Sequence, residues 1–246
     1  MHQLRCSEVW GGVHNIDLDV STVGLAASLF SSSCTGGRGG DIYYFSLCNE
    51  NLLTRIAVAD VVGHGEPVSH VSQWLYDAML AQMNNPHGHV VLAELNRLAA
   101  DRGYDAMTTA AVVAFYKRDS NLYFSYAGHP PVLVRRGCDR RWQILSLTTP
   151  AEQANLPLGV AAGVTYDQDM LHLDSGDRLF IYTDGLVEAP GAGKKLFGVQ
   201  RLMETLEERA HSPLSEVKNS VLAALRAHTG GSLGHDDVTL MAVEVR

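Results

Sequence analysis

Apolar residues in this chain recur with two periods. A strand-like pattern begins at Val23, and Gly24 to Ser33 runs into a Gly-rich turn at Thr35 to Gly40. Ile42 to Leu47 and Leu52 to Ala59, joined by Cys48-Asn49-Glu50-Asn51, read as a hairpin whose second strand ends on Asp60. The period then changes. Pro67 to Met83 puts Val68, Val71, Leu75, Ala78, Met79 and Met83 on one helical face, with Pro67 suited to a first helical position. Val90 to Ala100 predicts a second helix, ended near Gly103.

Strand patterns return in pairs. Thr109 to Tyr116 with Leu122 to Ala127, Pro131 to Arg136 with Trp142 to Leu147, and Val164 to Leu173 with Arg178 to Tyr182 predict three hairpins, the last turning at Asp174 to Asp177. Two more helices are predicted over Val199 to Arg209 and Leu214 to His228, then a closing strand over Val238 to Val245. Hairpins mean antiparallel pairing, and helices grouped in pairs point to an α+β fold rather than an alternating parallel sheet. Residues 1–20 show no clear period, and Gly11-Gly12 with Asp17 and Asp19 suggests a loop or irregular arm.

Composition narrows the class. The 246 residues suit one large domain with an N-terminal extension, residues 1–22 before a domain at 23–246, and 46% apolar content suits a soluble globule. A net charge of −8 without a basic run argues against nucleic acid and anionic membranes as partners. Cys6, Cys34, Cys48 and Cys138 lack metal-site spacing and read as free thiols. With no apolar leader over Met1 to Gly12 and no run of membrane-spanning length, the expectation is a cytoplasmic protein.

The chemistry lies in four aspartates at or beside strand edges, with glycine or another acid next to them or, for Asp60, three residues on. They are Asp41 in Gly39-Gly40-Asp41, Asp60 in Asp60-Val61-Val62-Gly63-His64-Gly65, Asp184 in Tyr182-Thr183-Asp184-Gly185, and Asp236 in Gly234-His235-Asp236-Asp237. Carboxylates gathered at one sheet edge repel unless hard cations hold them, and oxygen-only ligation suits Mg²⁺ or Mn²⁺. Such centres work mostly on phosphate esters. The Val61 carbonyl can join Asp60 on a metal, and Asp237 is the fallback for Asp236. Asp184 fits a ligand better than part of an aspartyl-phosphate route, because Tyr182 stands where the nucleophilic Asp would be. Of 11 histidines, His64 is best placed for proton transfer, with a packing or capping turn histidine as the other reading. Arg38 reads as a solvated loop cation or a phosphate clamp, and His129 as structural in its Pro-bounded turn.

In chain order these motifs, with Met107-Thr108-Thr109, Ala127-Gly128-His129-Pro130-Pro131, Leu156-Pro157-Leu158-Gly159, Leu186-Val187-Glu188, Phe197-Gly198 and Asp236-Asp237-Val238-Thr239, resemble the SpoIIE-like branch of the PPM (PP2C-like) protein phosphatases from about Val23 to Arg246. The resemblance implies a four-layer αββα sandwich, two antiparallel β-sheets flanked by helical pairs. It implies two Mn²⁺ or Mg²⁺ ions, bridged by Asp60, with Asp184 and Asp236 each on one ion, Val61 lending its carbonyl and Asp41 ligating directly or through water. It implies a protein serine/threonine phosphatase, and the residue reading adds His64 to protonate the leaving oxygen and Arg38 to assist at the phosphate. A phosphorylated STAS-type anti-anti-sigma protein is the implied substrate and the helix from Pro67 and its partner the implied regulatory pair; control is expected from a separate regulatory protein, metal occupancy or substrate supply. Tyr44 stands where the family often has a further acid. A small-molecule phosphoesterase and a catalytically inactive binding module are the rival readings.

Overall fold

The structure, a computed structural model, describes residues 1–48, 50–82, 85–148 and 155–246. Its strands are β1 (His2–Gln3), β2 (Glu8–His14), β3 (Ile16–Ser21), β4 (Leu25–Ser32), β5 (Arg38–Cys48), β6 (Leu53–Val61), β7 (Thr108–Tyr116), β8 (Asn121–Ala127), β9 (Leu133–Arg135), β10 (Gln143–Ile144), β11 (Asp169–His172), β12 (Arg178–Tyr182) and β13 (Val238–Val245). The helices are α1 (Ser69–Ala81), α2 (Gly88–Arg102), the single turn α3 (Asp184–Val187), α4 (Val199–Glu208) and α5 (Leu214–Thr229). Among the described residues the strands form a seven-stranded sheet, β1-β3-β4-β13-β12-β9-β10, and a six-stranded sheet, β11-β8-β7-β6-β5-β2.

Side-chain alternation builds the layers. On β5, Tyr43, Phe45 and Leu47 face the space between the sheets, while Ile42 and Tyr44 face the helices. On β6, Ile56 and Val58 point inward, and Ala57, Ala59 and Val61 outward. On β13, Met241, Val243 and Val245 enter the inter-sheet core, and Val238, Leu240 and Ala242 face the other way. Both faces of these central strands are therefore apolar, and each sheet needs a helical cover. Val71, Leu75 and Met79 of α1 with Val91, Leu92, Leu95 and Ala99 of α2 cover the six-stranded sheet. Leu202 and Leu206 of α4 with Val217, Val221 and Leu225 of α5 cover the other. This is the expected four-layer αββα arrangement.

Local expectations differ in places. Residues 1–20, expected as a loop or irregular arm, are largely strand: β2 extends the six-stranded sheet beside β5, and β3 pairs with β4 in the other. The β1–β3 pair is parallel, an exception to the antiparallel expectation. β5 begins at Arg38, inside the expected turn, and α1 follows a 3₁₀ turn at Glu66–Val68. The third expected hairpin does not form, because β11 pairs with β8 while β12 joins β9 and β13 in the opposite sheet. Met83, the expected end of the first helix, and Asn49 of the expected turn lie outside the described residues. No helix among the described residues is long and apolar enough to cross a membrane.

Candidate metal centre

Four elements bring the aspartates to one edge of the sandwich. β5 and β6 set Asp41 directly opposite Asp60 in the antiparallel register. β12 and β13 are also paired, so Asp184 just past the end of β12 and Asp236 just before β13 arrive at the same end. Asp60 feels the charges of Asp41, Asp184 and Asp236 together. All four predicted acids are thus neighbours. Among the described residues, no three His, Cys, Asp or Glu side chains close on one point as a ligand shell.

Glycines permit this approach. A Cβ on Gly40 would stand 3.1 Å from the Val61 carbonyl oxygen and 3.0 Å from that of Gly63, tighter than a side chain sits comfortably. The turn after Asp60 needs Gly63 and Gly65 at φ of 94° and 70°, the left-handed region.

The electrostatics are those of crowded acids. Asp41 is 3% exposed. Burial, with the charges of Asp237 and Asp236, pushes its carboxyl up to about 8, against hydrogen bonds from Thr239 and Thr183 that act the other way. Burial and then the charges of Asp41, Asp184 and Asp236 raise Asp60 well above the ordinary carboxylate range, and burial first raises Asp236. Thr183 Oγ1 donates to Asp41 Oδ2 at 2.9 Å, and the Thr239 amide donates to Thr183 Oγ1 at 3.0 Å. Asp41 Oδ1 is buried with no hydrogen-bond partner among the described residues. Thr109 Oγ1, on the residue that pairs with Asp60 across β6 and β7, is buried and unpartnered too.

An orphaned buried carboxylate oxygen beside three other acids fits a site for hard cations. Asp41, Asp60, Asp184, Asp236 and the Val61 carbonyl form an all-oxygen donor set, the kind Mg²⁺ and Mn²⁺ take.

His64 is exposed in its turn, with Nδ1 3.2 Å from Cys34 Sγ, and its charge acts on Asp236. It faces solvent beside the acids rather than packing inside. Arg38 is exposed at the start of β5; its backbone amide donates to Glu66 Oε2 at 3.2 Å, and its guanidinium binds nothing among the described residues. His129 is only 6% exposed; Nδ1 contacts the Pro130 carbonyl at 2.8 Å and Nε2 has no partner among the described residues. Burial pushes its imidazole down to about 4.

The residue that sequence reasoning missed is Asp237, which appeared there only as a fallback ligand. Its Oδ1 accepts the Cys34 amide at 2.8 Å, and its Oδ2 accepts the Gly40 and Gly65 amides at 2.5 and 2.9 Å. Both oxygens are occupied by backbone. Asp236 Oδ1 accepts the Asp237 amide at 2.8 Å and no other donor among the described residues. Nothing in the sequence distinguishes the two neighbours, because the three amides come from distant loops.

Comparison with known proteins identifies the family. A family model described as "Stage II sporulation protein E (SpoIIE)" matches residues 52–246. The phosphoserine phosphatase RsbU of Bacillus subtilis is 27% identical over 228 residues, covering 92% of this chain and 63% of RsbU. The chain spans 18%, 63% and 49% of the length of three curated relatives it matches. Among solved structures, the RsbU and RsbW domains of a Mycobacterium tuberculosis protein superpose with a TM-score of 0.76 at 23% identity, over 96% of this chain and 62% of that one. RsbX in complex with magnesium superposes at 0.67 and 14% identity, over 94% and 100%. The chain belongs to the SpoIIE-like branch of the PPM (PP2C-like) protein phosphatases.

Proposed function

We propose that this protein is a metal-dependent phosphatase of phosphoserine and phosphothreonine in proteins. The observation that carries the reading is the gathering of Asp41, Asp60, Asp184 and Asp236 at one sheet edge, with Asp41 Oδ1 buried and unpartnered. Asp60, Asp184, Asp236 and the Val61 carbonyl would hold two divalent cations, and Asp41 would ligate directly or through water. When bound, such cations neutralise the acids, polarise the phosphoryl group and bring a water to its nucleophilic form near neutral pH.

The chain's own residues do the rest. The start of β5 at Gly39-Gly40 and the turn at Gly63 to Gly65 fix the acids before substrate arrives. Hydrolysis forms a bond from water oxygen to phosphorus and breaks the bond from phosphorus to the seryl or threonyl oxygen. His64, exposed beside Asp236, gives its proton to that leaving oxygen. Arg38, with an unengaged guanidinium, binds a phosphoryl oxygen. Kinship with RsbU, a phosphoserine phosphatase, supports a phosphoserine substrate; the motif resemblance points further, to a phosphorylated STAS-type anti-anti-sigma protein in the cytoplasm and to a separate regulatory protein acting through α1 and α2.

The test is Mn²⁺-dependent hydrolysis of p-nitrophenyl phosphate and a phosphoserine peptide by wild type and Asp184→Asn. Metal-dependent turnover that falls by roughly a hundredfold or more in the variant supports the reading. Fast turnover of small phosphoesters with a poor peptide rate would move the assignment to a small-molecule phosphoesterase. No turnover and no Mn²⁺ binding by calorimetry would leave a binding module.

A further inference from the structure

We propose that Asp237 is a positioning residue, one that locks the loops bearing the candidate ligands into a single constellation; this rests on the metal-dependent reading above. Its side chain is 2% exposed, and its two oxygens take three backbone N–H groups. Each donor belongs to a different part of the site. Cys34 lies in the turn between β4 and β5, where its thiol meets His64. Gly40 immediately precedes Asp41. Gly65 closes the turn that follows Asp60 and immediately follows His64. The Asp237 amide, in turn, donates to Asp236 Oδ1 at 2.8 Å.

The Asp184 loop is joined to the same residue by contact. A Cβ on Gly185 would lie 2.0 Å from the Asp237 carbonyl oxygen, so only glycine lets that loop seat here. Gly39 has the same origin, because its Cβ would lie 2.6 Å from Asp237 Oδ2. One residue therefore contacts the segments that carry Asp41, Asp60, Asp184 and Asp236. The glycines beside Asp41 and Asp184 are in part the imprint of Asp237.

A carboxylate is the group this requires. It offers two acceptor oxygens and no donor, and charge-assisted bonds to N–H are stronger than neutral ones. Asparagine keeps one acceptor and turns an NH₂ toward at least one of the three amides. Alanine leaves all three N–H groups buried and unsatisfied. Because both oxygens are committed, Asp237 acts on a cation through the placement of its neighbours.

Calorimetric Mn²⁺ titration of wild type, Asp237→Asn and Gly39→Ala tests this, alongside thermal unfolding of the metal-free proteins. Gly39→Ala presses on Asp237 Oδ2 without removing it, and decides the matter should Asp237→Asn fail to fold. The expected result is a Mn²⁺ affinity lower by about 10- to 100-fold in both, the usual cost of losing a ligand's supporting partner, with turnover of p-nitrophenyl phosphate restored at saturating Mn²⁺. Affinity within about twofold of wild type, even with a lowered melting temperature, would show a merely structural residue and overturn the proposal. Turnover that no Mn²⁺ concentration restores would make Asp237 a ligand and also overturn it. A wild type that binds no Mn²⁺ removes the metal reading itself, whereas a binding wild type with unaffected variants removes this inference alone.

Discussion

Strands β12 and β13 carry charge at both ends, and the ends are built in opposite ways. At one end Arg178 stands across the register from Glu244, 2.6 Å apart at the ion pair. Arg178 Nη1 also donates to the Ala210 and Ser212 carbonyls at 3.0 and 2.7 Å. Nearby, Asp177 is 3% exposed and takes Arg136 Nη1 at 2.5 Å with the amides of Gly137 and Asp174. At the other end Asp184 and Asp236 meet Asp41 and Asp60, all of one sign. Buried opposite charges relieve one another within the fold, and buried like charges cannot. Relief at the acidic end comes from outside the chain, as protons or cations. That contrast, between the two ends of one strand pair, singles out the site.

The widest test of the contrast is Asp60→Asn. Activity with Mn²⁺ should fall by roughly a hundredfold or more, as loss of a shared ligand implies. The metal-free variant should unfold at the same temperature as wild type or higher, because one member of a repelling set has gone. An inactive variant that is also clearly less stable without metal would break the comparison, since Asp60 would then be holding the fold together.

At the paired end the signs reverse. Arg178→Met removes one partner and leaves Glu244 and two carbonyls short of a donor. The expected cost is about 2–3 kcal/mol in chemical denaturation, below the full buried-pair figure because Glu244 is partly exposed. Mn²⁺ affinity and the KM for p-nitrophenyl phosphate should stay as in wild type. A variant of native stability would mean that this pair contributes nothing.

What the sequence discloses divides along a related line. β13 was legible to the residue at Val238–Val245, and the four acids were legible because each stands at or beside a strand edge with glycine or another acid no more than three residues away. Those are local signals. The strands of residues 1–20 escaped because β1 and β3 lie at one sheet's edge and β2 at the other's, and the glycines of β2 suggest a loop. They serve packing: a Cβ on Gly11 would lie 2.2 Å from the Tyr43 carbonyl oxygen. The turn Asp174 to Asp177 has hairpin chemistry, yet β11 and β12 enter different sheets, which pairing beyond the turn decides. Asp237 was hidden for the same reason: its partners at Cys34, Gly40 and Gly65 are 203, 197 and 172 residues away.

The smallest expected effect is in pH. Asp41 is raised to about 8 in the fold, so across mildly acidic to neutral pH the folded state holds a proton that the unfolded chain has released. Stability without metal must then fall as pH rises toward about 8. His129, pushed down to about 4, acts with the opposite sign: below its ordinary value the unfolded chain takes the proton, so this group's contribution is lost as pH falls toward about 4. The two oppose each other below about 6.5, and only the acids act between about 6.5 and 8. In that upper window one differential proton corresponds to about 2 kcal/mol, or a melting temperature lower by about 4–8 °C for a chain of this size. Saturating Mn²⁺ should abolish the slope, because cations then hold the ionised acids. The Arg178–Glu244 end contributes none of it, so Arg178→Met should shift the whole profile down without changing its shape. A metal-free profile that is flat or rising between about pH 6.5 and 8 would show that the acidic end is relieved within the fold after all.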